Sequence, residues 1–318
     1  MGASQYIVVA MLSLKPINRA IMELRHLRYF VAVAEALSFT RAAQTLRTAQ
    51  PSLSQQIRDL EYEIGTPLLN RDKRNVALTA AGKVFLDEAR LVLAQADRAK
   101  TLARRAAESE AQSLTIGFVP AAEVKIFPQS LTLLRGLFPD TRIVLRSLTT
   151  FEQHQALLAG DIDIAFMRPP VDESLFASEV VLREPLVALL HIDHPACALD
   201  RVALSDLTDT PFLRIASRHA GNLAQLIDDL ARRDGAELQA IQEVENVLTL
   251  LTLVGLGVGF SILPDYVEQL SFRNLTTRPL AGPEVRAELV AAWRHDNAKP
   301  EITALVALTR DALSERNQ

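Results

Sequence analysis

Residues 24–82 read LRHLRYFVAVAEALSFTRAAQTLRTAQPSLSQQIRDLEYEIGTPLLNRDKRNVALTAAG, and the changes of period inside this stretch decide the fold of the head. Leu27, Phe30, Val31, Ala34 and Leu37 recur at helical spacing, which predicts a helix over 24–37. Ser38-Phe39-Thr40 is a turn, with Thr40 the expected N-cap of a short helix, RAAQTLR, whose Ala42 and Ala43 allow a close crossing. Thr48 can cap the helix that follows, and Pro51 lies in its first turn, where a missing N–H costs little. That helix runs from Gln50 to Ile64 and stops at Gly65, a residue at ease in the left-handed conformation that ends helices. Its apolar stripe is Leu53, Ile57, Leu60 and Ile64; the opposite face carries Ser52, Ser54, Gln55, Arg58 and Asp59. Hydroxyls and an amide at a helix N-terminus suit phosphates and base edges, and Gln can pair bidentately with adenine. Residues 68–79 then predict two short strands around the basic turn Arg71-Asp72-Lys73-Arg74, a wing placed for phosphate contact or minor-groove insertion. A single Arg would mean only a solvated charge. Helix, turn, helix and basic hairpin in that order predict a winged helix-turn-helix that binds double-stranded DNA.

Working outward, residues 80–108 contain no proline, and Phe85, Ala89, Val92, Ala96, Ala99, Ala103 and Ala106 alternate in steps of four and three. This heptad seam predicts a linker helix that pairs two copies of the chain, against the plainer reading of a long helix packed on its own domain. Pairing joins two short recognition helices into one binding unit and so adds their contacts.

The composition agrees with two or more domains. The chain has 318 residues, 49% hydrophobic and 23% charged, which is too long for one ordinary core and typical of a globular protein. Residues 1–83 hold 11 Lys and Arg against 6 Asp and Glu, whereas the remainder holds 23 against 32, so a basic head sits on an acidic body. The lone Cys197 excludes a disulfide framework or a cysteine-based zinc site within one chain, and a free thiol suits a reducing cytoplasm. No apolar run approaches the roughly 20 residues that span a bilayer, so no membrane partner is expected. Residues 1–21 read as an unstructured leader or the product of an upstream start, because their short apolar run lacks the preceding positive charge of a signal peptide.

After Ser113 the pattern becomes α/β. Strand-like runs at 114–119, 143–148 and 162–167 alternate with helical runs at 126–138 and 151–160, and this order predicts a parallel sheet. A second set follows, with strands at 186–190, 212–216, 243–244 and 259–263 and helices at 221–233 and 246–255; a strand at 288–293 and a helix from Pro300 close the chain. The expected organisation is therefore a winged helix-turn-helix at 22–80, a linker helix at 81–110, and an effector-binding domain at 111–318. Lobe I of that domain comprises 111–183 and 284–318, and lobe II comprises 184–283. Ligands in such sheets bind beyond the carboxyl ends of strands, which places Pro120, Ala121, Thr149, Thr150, Arg168, Ser217 and Asn222 at the expected site. Hydroxyls, helix amides and one Arg suit an organic carboxylate. Thr149 or Thr150 also reads as a helix N-cap, and Arg168 as an interlobe ion-pair residue. Gly255-Leu256-Gly257-Val258-Gly259 joins a helix to a strand, the reverse of a dinucleotide loop, and reads as a structural turn. His191 and His194 lack the further ligands of a metal site. No catalytic constellation, metal site or cofactor is expected.

The head stretch, and more loosely VGLGVGFSILP near the end, resembles the LysR-type transcriptional regulators. By that resemblance Gln50, Pro51, Ser54, Gln55 and Arg74 contact DNA, with Arg25, Thr48, Ser52 and Arg71 in support; Gln55 stands where the family often has Arg. The resemblance also implies a type 2 periplasmic-binding-protein-like body, pairing through the linker and assembly to a dimer or tetramer, with RNA polymerase a further partner. Thr150 and Arg168 align with effector-site positions, and Ala121 replaces a common hydroxyl, implying a less polar end to the pocket. The segments MELRHLRYFVAVAEALSFTRAAQ, RDKRNVALTAAG, LTIGFVPAAEV and MRPPV look most like regulators of phenylpropionate, cinnamate and hydroxycinnamate breakdown, with benzoate and muconate regulators more distant. They imply an aromatic or phenylpropanoid carboxylate as effector. The alternative is an α/β receptor or enzyme with an incidental helical head, which salt-dependent, sequence-specific DNA retention would exclude.

Overall fold

The computed structural model describes residues 22–71, 76–107, 113–297 and 299–316. The leader at 1–21 and the wing residues Lys73 and Arg74 therefore lie outside the described residues. The chain divides into two compact units, Met1–Ala96 and Asp97–Gln318.

In the first unit, α1 (Leu24–Ala36), α2 (Phe39–Thr45) and α3 (Gln50–Ile64) are followed by antiparallel strands β1 (Leu69–Arg71) and β2 (Val76–Leu78) and by α4 (Ala80–Ala107), which continues into the second unit. Phe30, Val33, Leu53 and Ile57 are fully buried and knit the three helices together, with Leu68, Leu86 and Ala89 closing the same core. Phe85 meets Phe30 edge-on at 5.1 Å between ring centres. Gly82 is required where α4 begins: a Cβ there would lie 1.9 Å from the Leu68 carbonyl oxygen.

Three local expectations change. Ser38, not Thr40, caps α2, its hydroxyl accepting the Arg41 amide at 3.4 Å. Ala49 occupies the N-cap of α3, and the Thr48 amide instead donates to Ala43 O at 3.0 Å. Leu37 leaves the buried stripe because it turns left-handed, at φ 46°, to end α1; Val33 fills the core instead.

The second unit opens with β3 (Ser113–Phe118), α5 (Pro120–Lys125), α6 (Phe127–Leu137), β4 (Arg142–Ser147), α7 (Thr150–Ala159) and β5 (Ile164–Met167). β3 lies between β4 and β5 and is parallel to both. β6 (Phe176–His191) is far longer than the single short strand expected at 186–190. Its first half pairs antiparallel with β11 (Arg286–Arg294), and its second half with β9 (Ser261–Pro264) and β10 (Leu275–Pro279). It thus carries the chain from lobe I into lobe II, and β11, antiparallel to β5, carries it back.

Lobe II also contains β7 (Phe212–Ile215), α8 (Ser217–Ala220), α9 (Leu223–Arg233), β8 (Ala240–Val244) and α10 (Val247–Gly255); α11 (Pro300–Arg316) then follows β11. β7 and β8 run parallel, and a bridge from Phe212 to Phe260 ties β7 to β9. One apolar cluster, from Ile116 and Phe166 through Leu186 to Leu250 and Phe260, runs through both lobes. The sequence reading missed α5, α8 and β10. α5 has six residues and α8 four, too short to establish a period, and β10 reads LTTRP, a half-exposed strand with no apolar alternation.

Candidate nucleic-acid interface and effector cleft

The head holds α3 at its middle and near its C-terminal end. His26 accepts the Glu23 amide at Nδ1, so Nε2 carries the proton and donates to Gln56 Oε1 at 2.9 Å. One oxygen of Glu61 accepts the amides of Leu68 at 2.9 Å and Leu69 at 3.0 Å, fixing the wing to the same helix. With Leu53, Ile57 and Leu60 buried beneath, Gln50, Pro51, Ser52, Gln55, Arg58 and Asp59 are exposed; Thr48 and Ser54 are half-buried at the rim. Arg25 is exposed, 3.4 Å from Glu23. Arg71 ends β1, and Arg74 lies outside the described residues.

In the body, the three strand ends named from sequence converge. Val119, Pro120 and Ala121 after β3, Thr149 and Thr150 after β4, and Arg168 after β5 line a cavity of about 640 Å³ whose far wall comes from lobe II. Ile215, Leu223, Val247 and Leu248 make that wall apolar. Ser217 and Asn222 are not in the lining. The Ser217 hydroxyl accepts from Arg214 Nη2 at 2.7 Å, and the Asn222 amide donates to Pro169 O at 2.8 Å across the lobes.

Thr149 is the N-cap of α7. Its hydroxyl accepts the Glu152 amide, and the Glu152 carboxylate accepts the Thr149 amide at 2.8 Å. These backbone and hydroxyl bonds from Thr149 hold the Glu152 carboxyl below its ordinary value. Thr150 is buried, and its hydroxyl accepts the Arg168 amide at 3.2 Å. Arg168 is itself buried: Nη1 donates to Glu288 O at 2.9 Å and Nη2 to Glu184 Oε2 at 2.7 Å. Lys125 stands 3.6 Å from the other Glu184 oxygen and also pairs with Asp265.

Sequence reasoning missed Tyr266 and His219, which also line the cavity. Burial pushes the Tyr266 hydroxyl above its usual range, with Arg168 opposing and Glu184 reinforcing the shift. Tyr266 follows the carboxyl end of β9, so the strand-end rule reaches it once β9 is included; His219 follows β7, where the same rule points instead to Ser217 and Asn222. Among the described residues no group of three His, Cys, Asp or Glu could hold a metal, and no helix is long and apolar enough to cross a membrane.

Two family models match this chain. A bacterial regulatory helix-turn-helix protein of the lysR family covers residues 24–83, and the LysR substrate binding domain covers 107–314. The Hca operon transcriptional activator HcaR of Escherichia coli K12 is 41% identical over 293 residues, 92% of this chain and 99% of that protein. The HTH-type transcriptional regulator BenM of Acinetobacter baylyi is 35% identical, covering 91% of this chain and 95% of its own. Full-length CbnR, solved with its target DNA, matches at TM-score 0.55 and 27% identity over 92% of this chain and 99% of that one.

Proposed function

This chain belongs to the LysR family, a DNA-binding transcription regulator with an effector-binding body and not an enzyme, and we propose that its effector is an aromatic or phenylpropanoid carboxylate and its targets are catabolic genes. The observation that carries this reading is the cavity of about 640 Å³ between the lobes, a size within the range of small-molecule sites. Its apolar walls suit a ring, and the N-terminus of α7 opens at one end. First-turn amides have no acceptor inside their own helix. Thr149 takes that of Glu152, which leaves those of Thr150 and Phe151 for a carboxylate. Three acidic residues, Glu123, Glu152 and Glu245, also line the cavity; Glu152 is engaged by Thr149 and Glu245 by Arg218. Similarity to the Hca operon activator supports the same class.

In this proposal the functional division follows 22–80 for DNA reading, 81–110 for pairing and 111–318 for effector binding. Two heads bind adjacent half-sites, two pairs assemble into a tetramer, and RNA polymerase is the downstream partner. Effector binding favours one arrangement of the lobes and thereby one placement of the paired heads on DNA, which requires unequal affinity for the two states. A thermal-shift comparison of phenylpropionate, cinnamate and benzoate, followed by footprinting with each binder, tests it. A binder that raises the melting temperature and changes the footprint is expected. Stabilisation by none of the three would refute the effector class, and a footprint unchanged at saturation would refute the coupling.

A further inference from the structure

The exposed face of α3 carries four side chains within two turns, Ser54, Gln55, Arg58 and Asp59, and their hydrogen bonds run in a fixed order. Gln55 Nε2 donates to Asp59 Oδ1 at 2.7 Å. Gln55 Oε1 accepts from Arg58 twice, from Nε at 3.2 Å and from Nη2 at 2.6 Å. Ser54 Oγ accepts from Arg58 Nη1 at 3.1 Å. Gln55 is therefore engaged at both ends of its amide, whereas bidentate recognition of adenine needs both ends free.

Arg58 is differently placed. A guanidinium has five N–H donors in a rigid fork. Three are used here, which leaves one on each terminal nitrogen. Its charge is not neutralised, because the adjacent carboxylate of Asp59 bonds to Gln55, and Arg58 makes no ion pair among the described residues. Two other cations of the head are paired: Arg90 binds Glu35 and Arg25 lies beside Glu23. The exposed centre of α3 thus presents a fork with a fixed rotamer and two spare donors, and a preset fork loses less conformational freedom on binding.

We propose that Arg58, rather than Gln55, is the base-reading side chain of α3. Its two spare N–H groups donate to O6 and N7 of a guanine in the major groove, and Ser54 and Gln55 act as positioning residues that buttress it. Guanine is the base edge that offers two acceptors to such a fork.

The test uses the full-length protein in selection from a random-sequence duplex library, followed by titration on the selected duplex across salt concentrations. Wild type should enrich a guanine at one position of each half-site. Arg58→Lys keeps the charge but loses the fork. It should bind the selected duplex about tenfold more weakly, with base preference flattened at that position alone and a salt slope changed by less than about one. Gln55→Ala should keep the same preferred guanine with a smaller loss of affinity. Circular dichroism of both variants should match wild type, since both residues are exposed. Uniform weakening of Arg58→Lys on all sequences with the guanine preference intact would assign Arg58 to phosphate and overturn the proposal. Loss of an adenine preference in Gln55→Ala, with the Arg58→Lys pattern unchanged, would make Gln55 the reader and overturn it too. Wild type enriching no guanine would also overturn it.

Discussion

Arg168 Nη2 donates to Glu184 Oε2 across 2.7 Å, with both side chains buried; Arg168 follows β5 of lobe I, Glu184 lies on β6, which crosses into lobe II, and β11 runs between those two strands. A buried pair adds little net stability, but removing one partner strands a charge out of water. Glu184→Ala is expected to destabilise the body by about 3–5 kcal/mol, read as a lower urea midpoint. Glu184→Gln keeps an acceptor beside Arg168 and should lose less. Equal, small losses in both variants would mean that water already satisfies Arg168.

The reciprocal cap of α7 makes a second prediction. Thr149→Ala removes the hydroxyl that takes the Glu152 amide, and loss of such a cap costs about 1 kcal/mol. It also bears on pH. Because Thr149 holds the Glu152 carboxyl below its ordinary value, the cap's contribution is present at neutral pH and is lost as pH falls through the lowered folded value. Thermal unfolding followed from neutral to acid pH should therefore show a shallower acid limb in Thr149→Ala than in wild type. Parallel curves would mean that the Thr149 backbone amide, retained in the variant, sets the Glu152 response on its own.

These two sites also show what was legible from sequence. Thr149, Thr150 and Arg168 were found because strand ends in an α/β pattern are identifiable without coordinates, and the structure gathers all three at one cavity. Ser217 and Asn222 satisfied the same rule yet fall outside the lining, since the single turn of α8 moves His219 to the position expected for Ser217. Glu184 could not be found: it lies mid-strand between Arg183 and Pro185, and nothing local distinguishes a carboxylate awaiting an Arg 16 residues away. In the head, the helices followed from periodicity. The caps did not, because Ser38 and Thr40, or Thr48 and Ala49, differ only in where the turn ends.

Gly221 supplies a third prediction. It sits at φ +59°, and a Cβ there would lie 2.7 Å from Arg168 Cβ and 3.1 Å from Pro169 O. The neighbouring Asn222 amide donates to Pro169 O, so this turn of lobe II rests directly on lobe I. Gly221→Ala is expected to cost more than about 1 kcal/mol, from positive φ and from collision. Because the displaced turn adjoins His219 and Ala220 of the cavity wall, the thermal shift given by any carboxylate that stabilises wild type should shrink. An undiminished shift in a destabilised variant would confine the effect of Gly221 to folding.

The seam on α4 changes character along its length. Phe85 and Ala89 pack into the head's own core, so the first part of the seam is already covered within one chain. Val92 is 46% exposed, and Ala99 and Ala103 are exposed beyond it, while Thr101 on another side of the helix is buried and bonds Asp161 at 3.2 Å. An exposed apolar line beginning at Val92 is what a second copy of the helix would cover. Val92→Asp should leave the fold of each chain intact, since the side chain faces outward, yet shift the sedimentation profile toward monomer. DNA affinity should fall with it, because each head must then bind its half-site alone. A variant that stays paired and keeps its affinity would place the pairing surface elsewhere on the chain.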